Sequence, residues 1–144
     1  MDESMELETA KGFIQKLKEK VKEAGRSPTN LLIARTIHPI VGRTESDAIR
    51  KFDELESLMP RYYRLPKSQF FGSAEQVAEM IEEWYNLGAM DLMLFRQEHP
   101  EGLHDFIEYV VPILQEKGIF RKEYESITLR ENLGLPYLDN RYSI

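Results

Sequence analysis

The sequence predicts an α/β fold in which helices cover a small parallel sheet that does not close on itself. Two stretches rich in branched and apolar residues, Leu31 to Val41 and Met90 to Phe95, are too short for typical helices and read as buried strands. Around them, apolar residues recur at the three- and four-residue spacing of helices, and strands alternating with helices imply parallel pairing through crossovers. Two strands alone would leave an open edge on each side. A complete domain removes such edges by closure or cover, so the imbalance points to an incomplete barrel.

The first helix spans Glu8 to Ala24, where Phe13, Leu17 and Val21 repeat every four residues with Ala10 and Ile14 beside them, and Gly25 ends it. Lys11, Lys16, Lys18, Lys20 and Lys22 alternate with Glu8, Glu19 and Glu23, a solvated face rather than a basic stripe. After the loop Arg26-Ser27-Pro28 comes the first strand, with Pro39 expected near its end because proline has no N–H for a ladder. Thr44 then caps a second helix, with Glu45 and Asp47 in its first turn and Ala48, Phe52, Leu55 and Leu58 on its inner face, up to Pro60. Arg61 to Phe71 is aromatic and basic without helical period, and reads as a loop or extended segment.

Ser73 and Gln76 form a capping box for the third helix, whose buried face is Val77, Met80, Ile81 and Trp84 and whose stop is Gly88. The second strand follows, and then a loop from Arg96 to Gly102. The last long helix is expected from Leu103 to Lys117, with Phe106, Ile107, Val110, Val111 and Leu114 inward, a kink at Pro112 and a stop at Gly118. The remainder lacks a period and reads as an ordered, irregular tail draped over the domain.

A chain of 144 residues is expected to form a single domain, residues 1–144. With 42% hydrophobic and 31% charged residues, it belongs with ordinary globular proteins rather than disordered ones. A net charge of -6 without clustered Lys and Arg argues against a nucleic-acid partner. The absence of cysteine excludes disulfides, thiolate zinc sites and cysteine nucleophiles. The acidic N-terminus does not read as a signal peptide and no long apolar run suggests a membrane span, so a cytoplasmic location is expected.

Several segments together are similar to the luciferase-like flavin-dependent monooxygenases. Gly72-Ser73-Ala74-Glu75-Gln76-Val77-Ala78 resembles that family's G-T-P-E-Q-V-A, and Gly88-Ala89-Met90-Asp91 its G-A-x-D. The series continues through Glu101 to Phe106, Val111 to Gln115, Gly118 to Arg121, Tyr124, and Thr128 to Leu135. Upstream, Ala24 to Pro28 looks like A-G-R-D-P, and Pro39 to Ala48 like P-V-V-G-R-T-E-A-E-A. The resemblance is strongest to the branch of nitrilotriacetate monooxygenase component A and dibenzothiophene-sulfone monooxygenase. It implies a (β/α)₈ barrel of which this chain holds the last two strands, reduced FMN as cofactor, dioxygen, a flavin reductase partner and a small organic substrate.

Against that pattern, the chain is too short to close a barrel of ~250 residues and lacks the G-Q-S-x-x-G segment by which relatives hold the FMN phosphate. It is expected to be shortened between Met59 and Gln69; Leu92 and Met93 replace the usual Gly-Phe, and Arg35 and Thr36 replace Pro-Gly. The implied function is therefore an FMNH₂-dependent monooxygenase present as a truncated C-terminal part, inactive alone unless a complementing barrel chain supplies the rest. The alternative is a noncatalytic remnant or an interaction module that associates with copies of itself.

No residue is assigned to catalysis or to flavin binding outright. Arg96 and His99 follow the second strand, the strand end where barrel enzymes gather catalytic groups, and would face flavin or an anionic substrate; the plainer reading is of solvated loop residues. His38, at the end of the first strand, is a candidate proton carrier because histidine titrates near neutrality. His104 opens a helix and reads as a capping or solvated group, and no pair of histidines has the spacing of a zinc site. Asp91, flanked by apolar residues, is expected to make a structural hydrogen bond. Phosphate-loop, dinucleotide and serine-hydrolase motifs are absent, and Trp84 and the aromatics of RYYR read as packing residues.

Overall fold

The computed structural model describes residues 3–60, 70–136 and 142. Its elements in order are α1 (Glu3–Glu23), a 3₁₀ turn (Pro28–Asn30), β1 (Ala34–Ile37), β2 (Ile40–Gly42), α2 (Glu45–Leu58), β3 (Phe71–Ser73), α3 (Ala74–Asn86) and β4 (Leu92–Phe95), followed by α4 (Gly102–Asp105), a π turn (Phe106–Val110), α5 (Val111–Glu116) and α6 (Leu129–Asn132). The fold is α/β, with an unclosed, barrel-like set of parallel strands and a C-terminal helical and irregular region.

The first expected strand is two strands. β1 pairs in parallel with β4, Ala34 opposite Leu92 and Ile37 opposite Phe95, whereas β2 pairs in parallel with β3, Ile40 opposite Phe71 and Gly42 opposite Ser73. The break falls at His38-Pro39, because Pro39 cannot donate to a ladder and the chain changes partner there. β3 was not expected, since three residues at the edge of an aperiodic segment carry no alternation to detect. The RYYRLPK stretch lies outside the described residues.

Gly42 is required at the end of β2. A Cβ there would stand 2.3 Å from the Ala48 nitrogen, so only glycine lets the first turn of α2 sit against the strand. Thr44 caps that helix by accepting from the Asp47 amide at 3.2 Å. Ala48 and Leu55 are buried and Phe52 meets Phe71 edge-to-face at 5.9 Å, but Leu58 is 76% exposed instead of inward. The strands beneath are three residues long, roughly 10 Å, and a 14-residue helix of about 21 Å overhangs them.

In α3 the Ser73–Gln76 capping box forms as expected, and Val77, Ile81 and Trp84 are buried. Each such burial stabilises by about 1.5–3 kcal/mol. Arg35 of β1 lies over the Trp84 ring at 3.8 Å, joining strand to helix. In α1 the inward line is Leu7 and Ile14, which are buried, with Ala10, Leu17 and Val21 half-buried, while Phe13 is 66% exposed. Steps of three and four residues hold one face of a 3.6-residue helix, and a strict four-residue series drifts off it.

The last long helix starts at Gly102 and contains a π turn instead of a plain kink. The Val111 amide bonds the Phe106 carbonyl five residues back, just before Pro112, which has no N–H to give. The widened turn shifts the phase, leaving Phe106, Val110 and Leu114 buried in four-residue steps and Ile107 57% exposed, against expectation. The tail is ordered locally by Thr128 capping α6 and by Asn132 bonding Ser126 in both directions, at 3.2 and 2.6 Å.

Candidate functional site

β1 and β4 run side by side in the same direction, so their C-terminal ends bring His38 and the loop after Phe95 together. His38 Nδ1 lies 2.6 Å from Glu98 Oε1, and Arg96 Nε lies 3.4 Å from the same oxygen. The alternation of each strand places His38 on the side of Thr36, and Arg96 on that of Leu94, the open side of the ladder. Two of the three expected candidates are thus joined, through a carboxylate the sequence reading passed over.

His99 is not among them. It is 5% exposed, contrary to the expectation of a solvated loop residue, because the loop folds back: the Gly102 amide bonds the His99 carbonyl at 2.9 Å. His99 Nδ1 accepts from the Glu101 amide at 3.2 Å, so in the neutral ring the proton sits on Nε2, 3.7 Å from a Glu54 oxygen. His104 is exposed, with Nε2 3.1 Å from Glu108. Asp91 is exposed, and its carboxylate accepts from the Ile33 amide at 2.8 Å, the structural bond expected of it.

A second polar group lies at the same end, between α2, β2 and α4. Lys51 is 3% exposed, donates to the Val41 carbonyl at 3.1 Å and contacts Asp105, itself buried, with Asp47 at 3.5 Å and Glu101 at 3.6 Å. Burial works against the Lys51 ammonium, but the Asp105 carboxylate, with Asp47 and Glu101 behind it, more than offsets that and holds the lysine pKa above its ordinary value. Asp47 is held below the ordinary carboxylate range by its bond to Arg50, against a smaller opposing effect of burial. Beside this group, Arg43 donates to the Tyr109 hydroxyl at 3.0 Å, a bond that raises the arginine pKa. Lys51 was missed by the sequence reading, although a lysine between Ala48 and Leu55 on an apolar helix face was a signal for it.

No family model matches the chain. It is 31% identical to the N-acetyl-S-(2-succino)cysteine monooxygenase of Bacillus subtilis (strain 168), over 95% of this chain and 45% of that enzyme. The matched stretch, 199 residues, exceeds the 144 of this chain, so the enzyme contains segments without counterpart here, as a shortening between Met59 and Gln69 would produce. A further match, to nitrilotriacetate monooxygenase component A of Aminobacter aminovorans, is 44% identical over 66 residues, 45% of this chain and 15% of that protein. Among solved structures, the EDTA monooxygenase of Chelativorans sp. BNC1 superposes with a TM-score of 0.77 at 24% identity, over 90% of this chain and 42% of that one. The chain thus spans a little under half the length of the Bacillus subtilis and Chelativorans enzymes.

A flavin mononucleotide needs cations or amides free to hold a phosphate and a slot for a planar ring. The depression lined by Arg43, Asp47, Arg50, Lys51, Glu101, His104, Asp105 and Tyr109 does not meet that need. Its cations are already engaged: Lys51 by Asp105, Arg50 by Asp47 at 2.9 Å, and Arg43 by Tyr109. That depression does not fit FMN.

Proposed function

Because its sequence and fold matches support the luciferase-like FMN-dependent monooxygenase superfamily, we propose that this chain is the C-terminal part of such an enzyme, in the branch of nitrilotriacetate and dibenzothiophene-sulfone monooxygenases. In that reading residues 1–144 form one domain of a cytoplasmic, two-component enzyme, in which a flavin reductase supplies reduced FMN and dioxygen oxidises a small organic substrate. No described helix is long and apolar enough to cross a membrane.

The observation that supports it best is the pairing of β1 with β4. Two parallel strands with their C-terminal ends level form a barrel's catalytic side, and His38, Glu98 and Arg96 stand there. Within a complete barrel Arg96 would present a cation to an anionic substrate group. His38, bonded to Glu98, would hold or release a proton at Nε2. His99 serves as a positioning group, bracing the loop between Glu101 and Glu54. Alone, the chain is inactive.

The test is a chimera in which this chain replaces the matched stretch of the Bacillus subtilis monooxygenase, titrated with FMN and, without oxygen, with FMNH₂. The expected result is micromolar, saturable binding by the chimera and none by the isolated chain. A folded chimera that binds no flavin overturns the assignment, and saturable binding by the isolated chain overturns its inactivity.

A further inference from the structure

The loop from Arg96 to Gly102 leads from β4 into the last long helix, and one side chain ties it down at the join. Gly102 is the first helical residue, so the amide of Glu101, just ahead of it, has no carbonyl of the helix to bond. It donates instead to the ring of His99, at 3.2 Å. An amide can only donate, so the Nδ1 it meets is bare and the single proton of the neutral ring sits on Nε2. The ring is buried, and the loop is closed on itself by the Gly102 amide on the His99 carbonyl at 2.9 Å and by Gln97 Nε2 on the Pro100 carbonyl at 2.7 Å.

A second proton on that ring has only Nδ1 to occupy, and there it points at another N–H. The bond and the charge therefore exclude each other. Two further effects oppose the charged ring: burial withholds water from it, and the helix starting at Gly102 presents the positive end of its dipole. One effect favours it, because Glu54 of α2 faces Nε2 at 3.7 Å; but that carboxylate is open to water and already meets Arg50 at 3.2 Å. The other charged groups nearby are engaged elsewhere. Glu101 turns its carboxylate to Lys51 at 3.6 Å, Asp47 and Asp105 face the same ammonium, and His104 of α4 meets Glu108 at 3.1 Å. At the other end of the loop Glu98 is taken by His38 and Arg96.

We propose that His99 is a pH-operated latch: its neutral ring fastens the loop to the start of the last helix, and protonation releases the Glu101 amide and loosens the turn between Glu98 and Gly102. Because histidine ordinarily changes charge between about pH 5 and 8, acidification over that range opens the latch. His38 works in the opposite sense, since its protonation makes the contact with Glu98 a charge-assisted bond. As the pH falls the loop trades its hold on the helix for a firmer hold on the end of β1. The inference rests on the geometry of the loop alone, so flavin binding by the chimera and the state of this latch are decided separately.

The test follows the chain by NMR from about pH 8 down to about pH 5, reading the ring nitrogens of His99 together with amide protection factors, which remove the intrinsic pH dependence of exchange. The expected result is an Nε2–H ring at the alkaline end. As that ring gains its second proton, protection at Glu101 falls at least about tenfold while Val77 and Ile81 of α3 keep theirs. His99→Gln supplies an oxygen to accept from Glu101 and does not titrate, so protection at Glu101 stays flat with pH; His99→Leu supplies no acceptor and shows the low value throughout. Should neither variant keep the wild-type circular dichroism, His38→Gln identifies the source, because the step at Glu101 persists without His38. An Nδ1–H ring at the alkaline end, a ring still neutral at the acid end, or protection at Glu101 that ignores protonation of the ring overturns the inference. So does a step that His99→Gln retains or His38→Gln abolishes, or one that α3 shares, which is unfolding of the whole chain.

Discussion

Two charged groups stand at the same end of the molecule, and they obey different rules. Around Lys51 every charge is buried or answered: the ammonium meets Asp105, Asp47, Glu101 and a backbone carbonyl. Around Glu98 the charges are open to water, with the His38 and Arg96 side chains 41% and 67% exposed. A buried ion pair is held by the cost of separating it, since either partner left alone would be an unpaired charge in a medium that solvates it poorly. A half-exposed pair has no such obligation and contributes little to stability. The first group therefore belongs to the architecture, and the second is available for chemistry.

The largest expected effect comes from breaking the first group on one side. Lys51→Ala leaves Asp105 buried without its cation and should cost about 3–5 kcal/mol in urea unfolding. The double replacement Lys51→Met with Asp105→Leu should recover most of that, because it removes the desolvated charges together. A double variant as unstable as the single one would show that the pair does more than compensate its own burial.

A smaller effect, with a definite sign, is expected from pH. Asp47 is depressed below its ordinary 3.8 in the fold, so its stabilising contribution is present above that value and is lost as pH falls through the still lower folded pKa. Lys51 is raised above its ordinary 10.5, so its contribution is complete below that value and is lost as pH rises through the folded pKa. Thermal unfolding of wild type and Lys51→Met across the alkaline range checks this: the wild type should lose stability there and the variant should be flatter.

The smallest effect on stability is expected at the second group. His38→Gln should change unfolding free energy by less than about 0.5 kcal/mol. In the chimera, where a barrel is complete, it should lower turnover about 100-fold if His38 transfers a proton. Unchanged turnover would remove His38 from the chemistry and sharpen the contrast in the other direction, leaving the open group without a role in the reaction.

Much of the fold was legible before any coordinates. Thr44, Ser73 with Gln76, Gly25 and Gly88 act within a single helical turn, and local signals of that kind depend on nothing distant. The misreadings arose where a distant partner decided the matter. Phe13, Leu58 and Ile107 each extend an apolar series by sequence, yet among the described residues none covers them. Of the candidate site, His38 and Arg96 were legible as residues following strands, but Glu98 was not, because nothing in RQEHPEG says which carboxylate turns toward the other strand.

By itself, then, the sequence determined the helices with their caps, the alternation that requires parallel pairing, and the excess of open edge over available strand, since each depends on spacing along the chain. Only the tertiary structure decided that the first strand changes partner at Pro39, that His99 turns inward while His38 meets Glu98, and that Lys51 sits in a buried ring of carboxylates. Those outcomes depend on groups up to 60 positions apart coming within hydrogen-bonding distance, and such proximity is a property of packing that no local pattern records.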